Sequence, residues 1–155
     1  MFITFMKSQV KILDGTPTIS LPFPSDTVPW PLFVPQHDAG VYVMGLFEGG
    51  NAANGAHANA VSAWTTPQEV VSVLSKEAGR EVKFSRISAE TFLSFFPDPQ
   101  VGLELTETMR LVGEYSYYGK GKEGKQGESD RWMLPGAQKM GLEQWVRENG
   151  PWKFE

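Results

Sequence analysis

The clearest pattern of apolar and polar positions lies in the second half of the chain. After Thr66-Pro67-Gln68-Glu69, apolar residues return at Val70, Val71, Leu74 and Ala78, the spacing of one helical face. Thr66 is placed to cap, Pro67 to occupy the first helical position and Glu69 to reach back to the cap, a reciprocal capping box. Gly79 supplies a left-handed end. Residues 81–87 then alternate with period two, predicting a half-buried strand with Val82, Phe84 and Arg86 on one face. Ser88 caps a short helix over 89–95, ended by Pro97. Pro99 opens a longer helix in which Val101, Leu105, Met109 and Val112 form a core stripe, with Glu107, Arg110 and Glu114 on a solvated charged face. A last helix around 142–148 stops at Asn149-Gly150-Pro151.

The first half is less regular. Phe2, Phe5, Met6, Val10 and Leu13 have helical spacing before Asp14-Gly15, predicting a short helix over 1–13. Residues 18–23 read as a brief strand. Pro17, Pro22 and Pro24 bracket it and cannot donate to a ladder, so an edge strand or two-stranded ribbon is expected. Pro29, Pro31 and Pro35 make the next stretch an extended, stiff connector. Asp38 is placed as the N-cap of a mostly apolar helix carrying Val41, Met44 and Gly45, with Val43 and Phe47, that ends at Gly49-Gly50. Residues 60–64 form a short buried strand. Residues 119–130 are glycine-interspersed and charged with no apolar residue, so a flexible surface loop is expected there. No internal repeat or boundary divides the chain, which reads as one domain over 1–155.

Composition narrows the function classes. The chain has 155 residues, 41% hydrophobic and 12% aromatic, enough to bury a core and too apolar for wholesale disorder. With 14 basic against 18 acidic residues, a net charge of −4 argues against a surface that neutralises phosphates, so direct nucleic-acid binding is not expected. The absence of cysteine excludes disulfides and thiolate chemistry and fits a cytoplasmic or nuclear protein. The apolar N-terminal run is broken by Lys7 and Lys11 and lacks the marks of an export signal. No apolar run reaches the roughly 18 residues that a spanning helix needs, so no membrane is expected as partner.

Candidate chemistry is sparse, and no catalytic residue is identified. Gly119, Gly121 and Gly124 match GxGxxG by spacing, but they follow a helix and precede no apolar run, whereas a dinucleotide cradle needs glycines between a strand and a helix. Tyr118 and Lys122 have the YxxxK spacing of short-chain reductases, yet they fall at the start of the glycine-rich stretch, where no helix aligns them. His37 beside Asp38 admits two readings, a carboxylate-oriented imidazole or a helix cap next to a partly buried histidine, and the second carries more weight. His37 and His57 are the only histidines, which leaves no ligand set for zinc. Trp30, Phe33, Trp132, Trp145 and Trp152 are numerous enough to line a pocket, but core and helix-docking roles are expected first. A small-molecule cleft, if one exists, is expected at Trp30, Phe33, Gln36, His37 and Asp38, where a rigid proline-rich segment runs into a helix.

Four pieces taken in order, Asp38-Ala39-Gly40, Thr66-Pro67-Gln68-Glu69, the strand-to-helix step over 82–92 and Gly141-Leu142-Glu143-Gln144-Trp145-Val146, resemble the C-terminal half of fungal NmrA-like proteins. That family belongs to the atypical short-chain dehydrogenase/reductases. The resemblance implies an α/β fold, the C-terminal, substrate-lobe part of a Rossmann-like structure with few short strands and about five helices. The dinucleotide-binding β-α-β unit that opens the family's fold is not found in this sequence. NAD(P) is implied as the family's cofactor, with none expected to bind this chain alone. The implied function is that of a redox-sensing regulator acting through protein contacts. Part of an isoflavone-reductase-like oxidoreductase, or an autonomous lobe that binds a protein partner or dimerises, are the alternatives. From where the resemblance starts, a truncated gene model, a split gene or a degenerate paralogue is expected.

Overall fold

The computed structural model describes Ile3, Met6 and residues 10–154. Most of the expected helix over 1–13 lies outside these residues, and its last part is a strand. β1 (Val10–Leu13) turns through Asp14 and Gly15, both at positive φ (49° and 76°), into β2 (Thr16–Leu21). β2 is not at an edge. It pairs antiparallel with β1 and parallel with β5 (Lys83–Arg86), giving the order β1-β2-β5. The prolines permit this because the β5 ladder uses only Thr18 to Leu21; Pro17 precedes it and Pro22 follows. The stiff connector contains β3 (Trp30–Leu32), which pairs antiparallel with β4 (Ala63–Thr65) in a separate two-stranded sheet.

Six α-helices are seen among the described residues. α1 (Pro35–Gly49) follows β3, and α2 (Pro67–Ala78) follows β4. α3 (Ala89–Leu93) and α4 (Pro99–Tyr115) form a packed pair, and α5 (Gln126–Asp130) and α6 (Leu142–Glu148) complete the chain. α2 begins as its sequence predicts. Thr66 Oγ1 accepts the Glu69 N–H at 3.2 Å, the Glu69 carboxylate accepts the Thr66 N–H at 2.9 Å, and Gly79 ends the helix at φ 64°. The Ser75 hydroxyl accepts the Val82 N–H at 2.8 Å, which fixes the step from α2 into β5.

The core gathers Ile19, Leu21 and Phe23 from β2 and its exit, Trp30 and Leu32 from β3, Val70 and Leu74 from α2, Met109 and Val112 from α4, and Val146 from α6. The α4 stripe is rotated from its expected position. Gly102, Thr106, Met109 and Val112 face inward, while Val101 is 47% exposed. A Cβ on Gly102 would lie 2.8 Å from a Leu93 methyl and 3.1 Å from the Phe96 Cβ, so close seating on the α3 segment selects the glycine face over the larger apolar residues. On the outer face, Arg110 pairs with Glu107 at 3.0 Å and Glu114 at 3.9 Å.

Candidate functional site

The segment expected to line a cleft divides between inside and outside. Trp30 is 2% exposed and stacks edge-on against Phe23 at 5.8 Å, with its indole N–H meeting no acceptor among the described residues. Phe33 is half-buried and its carbonyl accepts the Ile3 N–H at 2.9 Å. Gln36 and His37 are exposed. Asp38 is completely enclosed. It does not cap α1, whose N-cap position is Val34 followed by Pro35. Instead its carboxylate accepts the Met140 N–H at 3.1 and 3.3 Å and contacts His37 Nδ1 at 2.6 Å. Asp38 is therefore a brace between the first turn of α1 and the approach to α6, because a buried carboxylate needs donors and a buried amide needs an acceptor.

One turn further, Tyr42 opens a polar network that joins residues far apart in sequence. Its hydroxyl donates to Asp130 Oδ1 at 2.6 Å and lies 3.3 Å from the Val61 carbonyl. Gln126 Nε2 donates to Asp130 Oδ1 at 2.8 Å and to the Asn59 carbonyl at 2.9 Å, and its Oε1 accepts the Trp64 indole N–H at 2.9 Å. Lys139 Nζ binds Asp130 Oδ2 at 2.7 Å, and the Asn59 N–H donates to Ser129 at 3.0 Å. Residues 119–130, expected as a loop, thus supply the helix α5 and three of the network's side chains. Nothing apolar marks them in sequence; the one available signal is the i,i+4 spacing of Gln126 and Asp130.

The electrostatics suit bracing better than proton transfer. Desolvation, then the hydrogen bond to Asp130 and its negative charge, push the Tyr42 phenol well above its ordinary value. Burial raises the Asp130 carboxyl, but hydrogen bonds from Gln126, Lys139 and Tyr42, with the Lys139 charge, outweigh it and hold the group below the usual aspartate range. Burial, then Tyr117, also raises the Tyr118 phenol. Tyr118 packs edge-on with Trp64 at 6.2 Å, and the chain from 116 to 121 is turn, so Tyr118 and Lys122 share no helix. His57 lies on an exposed hollow of about 360 Å³ with Glu128, Arg131 and Trp132. Among the described residues, no group of three or more His, Cys, Asp or Glu is placed to hold a metal, and no helix is long and apolar enough to cross a membrane.

A family model described as the NmrA-like family matches residues 1–147. No curated protein matches the chain. Among solved structures, that of NmrA, a negative transcriptional regulator, in complex with NAD is similar with a TM-score of 0.66 at 19% identity, over 89% of this chain and 44% of that one. The complex with NADP gives 0.65 and a monoclinic form 0.61, at the same identity and coverage. At this identity the likeness establishes the fold, a Rossmann-like α/β architecture consistent with the C-terminal part expected from the sequence. The chain spans less than half the length of these structures, 44% in each.

Proposed function

The chain belongs to the NmrA-like family, and from that premise we propose that it serves a redox-responsive regulator as a lobe that works through protein contacts and carries out no turnover. The observation that carries this reading is the spending of its polar groups on architecture. Tyr42, a buried phenol, is committed to Asp130 and raised away from any proton-donating range near neutrality; Tyr118 has no lysine aligned with it on a helix. The outward face of α1 supports the contact role, since it presents Val43 and Met44, each 49% exposed, and Phe47, 76% exposed. NmrA, whose structures hold NAD and NADP, lends the cofactor to the proposal. Among the described residues no glycine-rich turn joins a strand to a helix, so tight nucleotide binding by this chain alone is not expected.

Calorimetric titration of the 155-residue protein with NAD and NADP, beside an assay of NADPH oxidation with aldehydes and ketones, tests the reading. The expected result is no turnover and no binding in the micromolar range. Measurable NADPH oxidation, lost on Tyr118→Phe, would replace it with the reductase reading.

A further inference from the structure

A cleft of about 730 Å³ opens between α2 and the start of α6, and touches the polar network just described through Trp64. Its size falls within the range of about 300–1,000 Å³ typical of small-molecule sites. Trp64, Val73 and Leu142 give it apolar surface, and Glu69, Ser72 and Glu143 give it exposed polar surface. None of its described lining residues is Lys, Arg or His.

The orientation of Trp64 is set from outside the cleft. Gln126 holds the indole N–H at 2.9 Å and Tyr118 packs edge-on against the ring, so the indole is fixed before a ligand arrives. Glu69 makes both of its capping contacts, to the Thr66 N–H and the Thr65 hydroxyl at 2.9 Å, through Oε2. Oε1 retains its accepting capacity. Glu143 forms no ion pair with any described residue.

We infer that this cleft binds a guanidinium group carried on an aliphatic stem. A planar, delocalised cation stacks on an indole and bonds carboxylates through its fork, while its stem covers Val73 and Leu142. The absence of a cation among the described lining residues leaves that position to the ligand, and the net charge of −4 adds a favourable long-range field. An ammonium on the same stem fits less well, since it offers no plane to stack. The inference stands apart from the regulatory reading and does not depend on it.

The test is calorimetric titration of the intact chain with agmatine, with a blocked Gly-Arg-Gly peptide and with the same peptide carrying neutral citrulline. The arginine peptide or agmatine is expected to bind with a Kd below about 1 mM, and the citrulline peptide at least about tenfold more weakly. Binding by agmatine as tight as by the peptide assigns the group to a free small molecule; clearly tighter binding by the peptide assigns it to a protein segment. Glu143→Gln is expected to weaken binding about tenfold, and Ser72→Lys, which places an ammonium in the cleft from an exposed position, to abolish it. Circular dichroism of both variants checks that they fold. No binding of either guanidinium ligand overturns the inference, as does equal binding of the citrulline peptide or binding indifferent to Ser72→Lys.

Discussion

α1 and α2 are neighbours in sequence and similar in length, yet they are held in place by opposite means. α2 buries Pro67, Val70 and Leu74 behind a capping box, so its local chemistry and its apolar face agree. α1 buries Asp38, Tyr42 and Gly45 and turns Val43, Met44 and Phe47 outward. Its seat is fixed by polar tethers and one close backbone approach: Asp38 to the Met140 amide, Tyr42 to Asp130, and the Val41 carbonyl to the Leu134 N–H at 2.9 Å. A helix can thus be located by what it hydrogen-bonds to, which leaves its apolar side chains free for other use.

The largest effect is expected at the close approach. A Cβ at Gly45 would run into the backbone of Trp132, Met133 and Leu134, which cannot move aside as a side chain can. Gly45→Val should cost about 3 kcal/mol or more, read from urea unfolding. Gly40 on the same helix, with open space around its Cβ position, is the control: Gly40→Ala should gain up to about 1 kcal/mol. Next is Asp38→Ala, which strands the buried Met140 N–H and should cost about 2 kcal/mol; Asp38→Asn keeps an acceptor and should recover part of it. If Asp38→Ala left stability unchanged, the tethered account of α1 would fail.

These contrasts explain what the sequence disclosed. The capping box of α2, the Ser88 cap of α3 and the bounds of α6 depend on residues within a turn of one another, so they were legible. The place of β2 between two partners was not, because Pro17 lies opposite Ile12 in the β1 ladder while the ladder to β5 uses only the proline-free stretch from Thr18 to Leu21. Asp38 was read as a cap because a carboxylate near a helix start usually is one; that Met140 needs it, across 102 residues, has no local mark. Gln126, Ser129 and Asp130 were hidden for the same reason, in a stretch whose composition says solvent while three partners from elsewhere draw it inward. The cleft beside Trp64 was missed too, since α6 and the start of α2 meet only in the fold.

Acid titration probes the Tyr42–Asp130 tether of α1. Asp130 is held below its ordinary pKa, so its contribution is complete above the unfolded aspartate value and is lost as pH falls through the lower, folded one. The loss should therefore fall below about pH 4, and Asp130→Asn, which cannot titrate, should flatten that limb of the unfolding midpoint. For α2 the matching change is the cap: Thr66→Ala should cost about 1 kcal/mol, with the helix retained through its apolar face.

The smallest expected effect on stability is the most informative about use. Phe47 is 76% exposed on the outer face of α1, so Phe47→Ser should change the unfolding free energy by less than about 0.5 kcal/mol. The same substitution removes the largest exposed ring from that face, beside Val43 and Met44. If the face makes protein contacts, concentration-dependent association by light scattering should weaken in the variant while the unfolding midpoint stays put. A midpoint that falls with the association unchanged would instead make Phe47 a packing residue, and α1 would then be held by apolar burial much as α2 is.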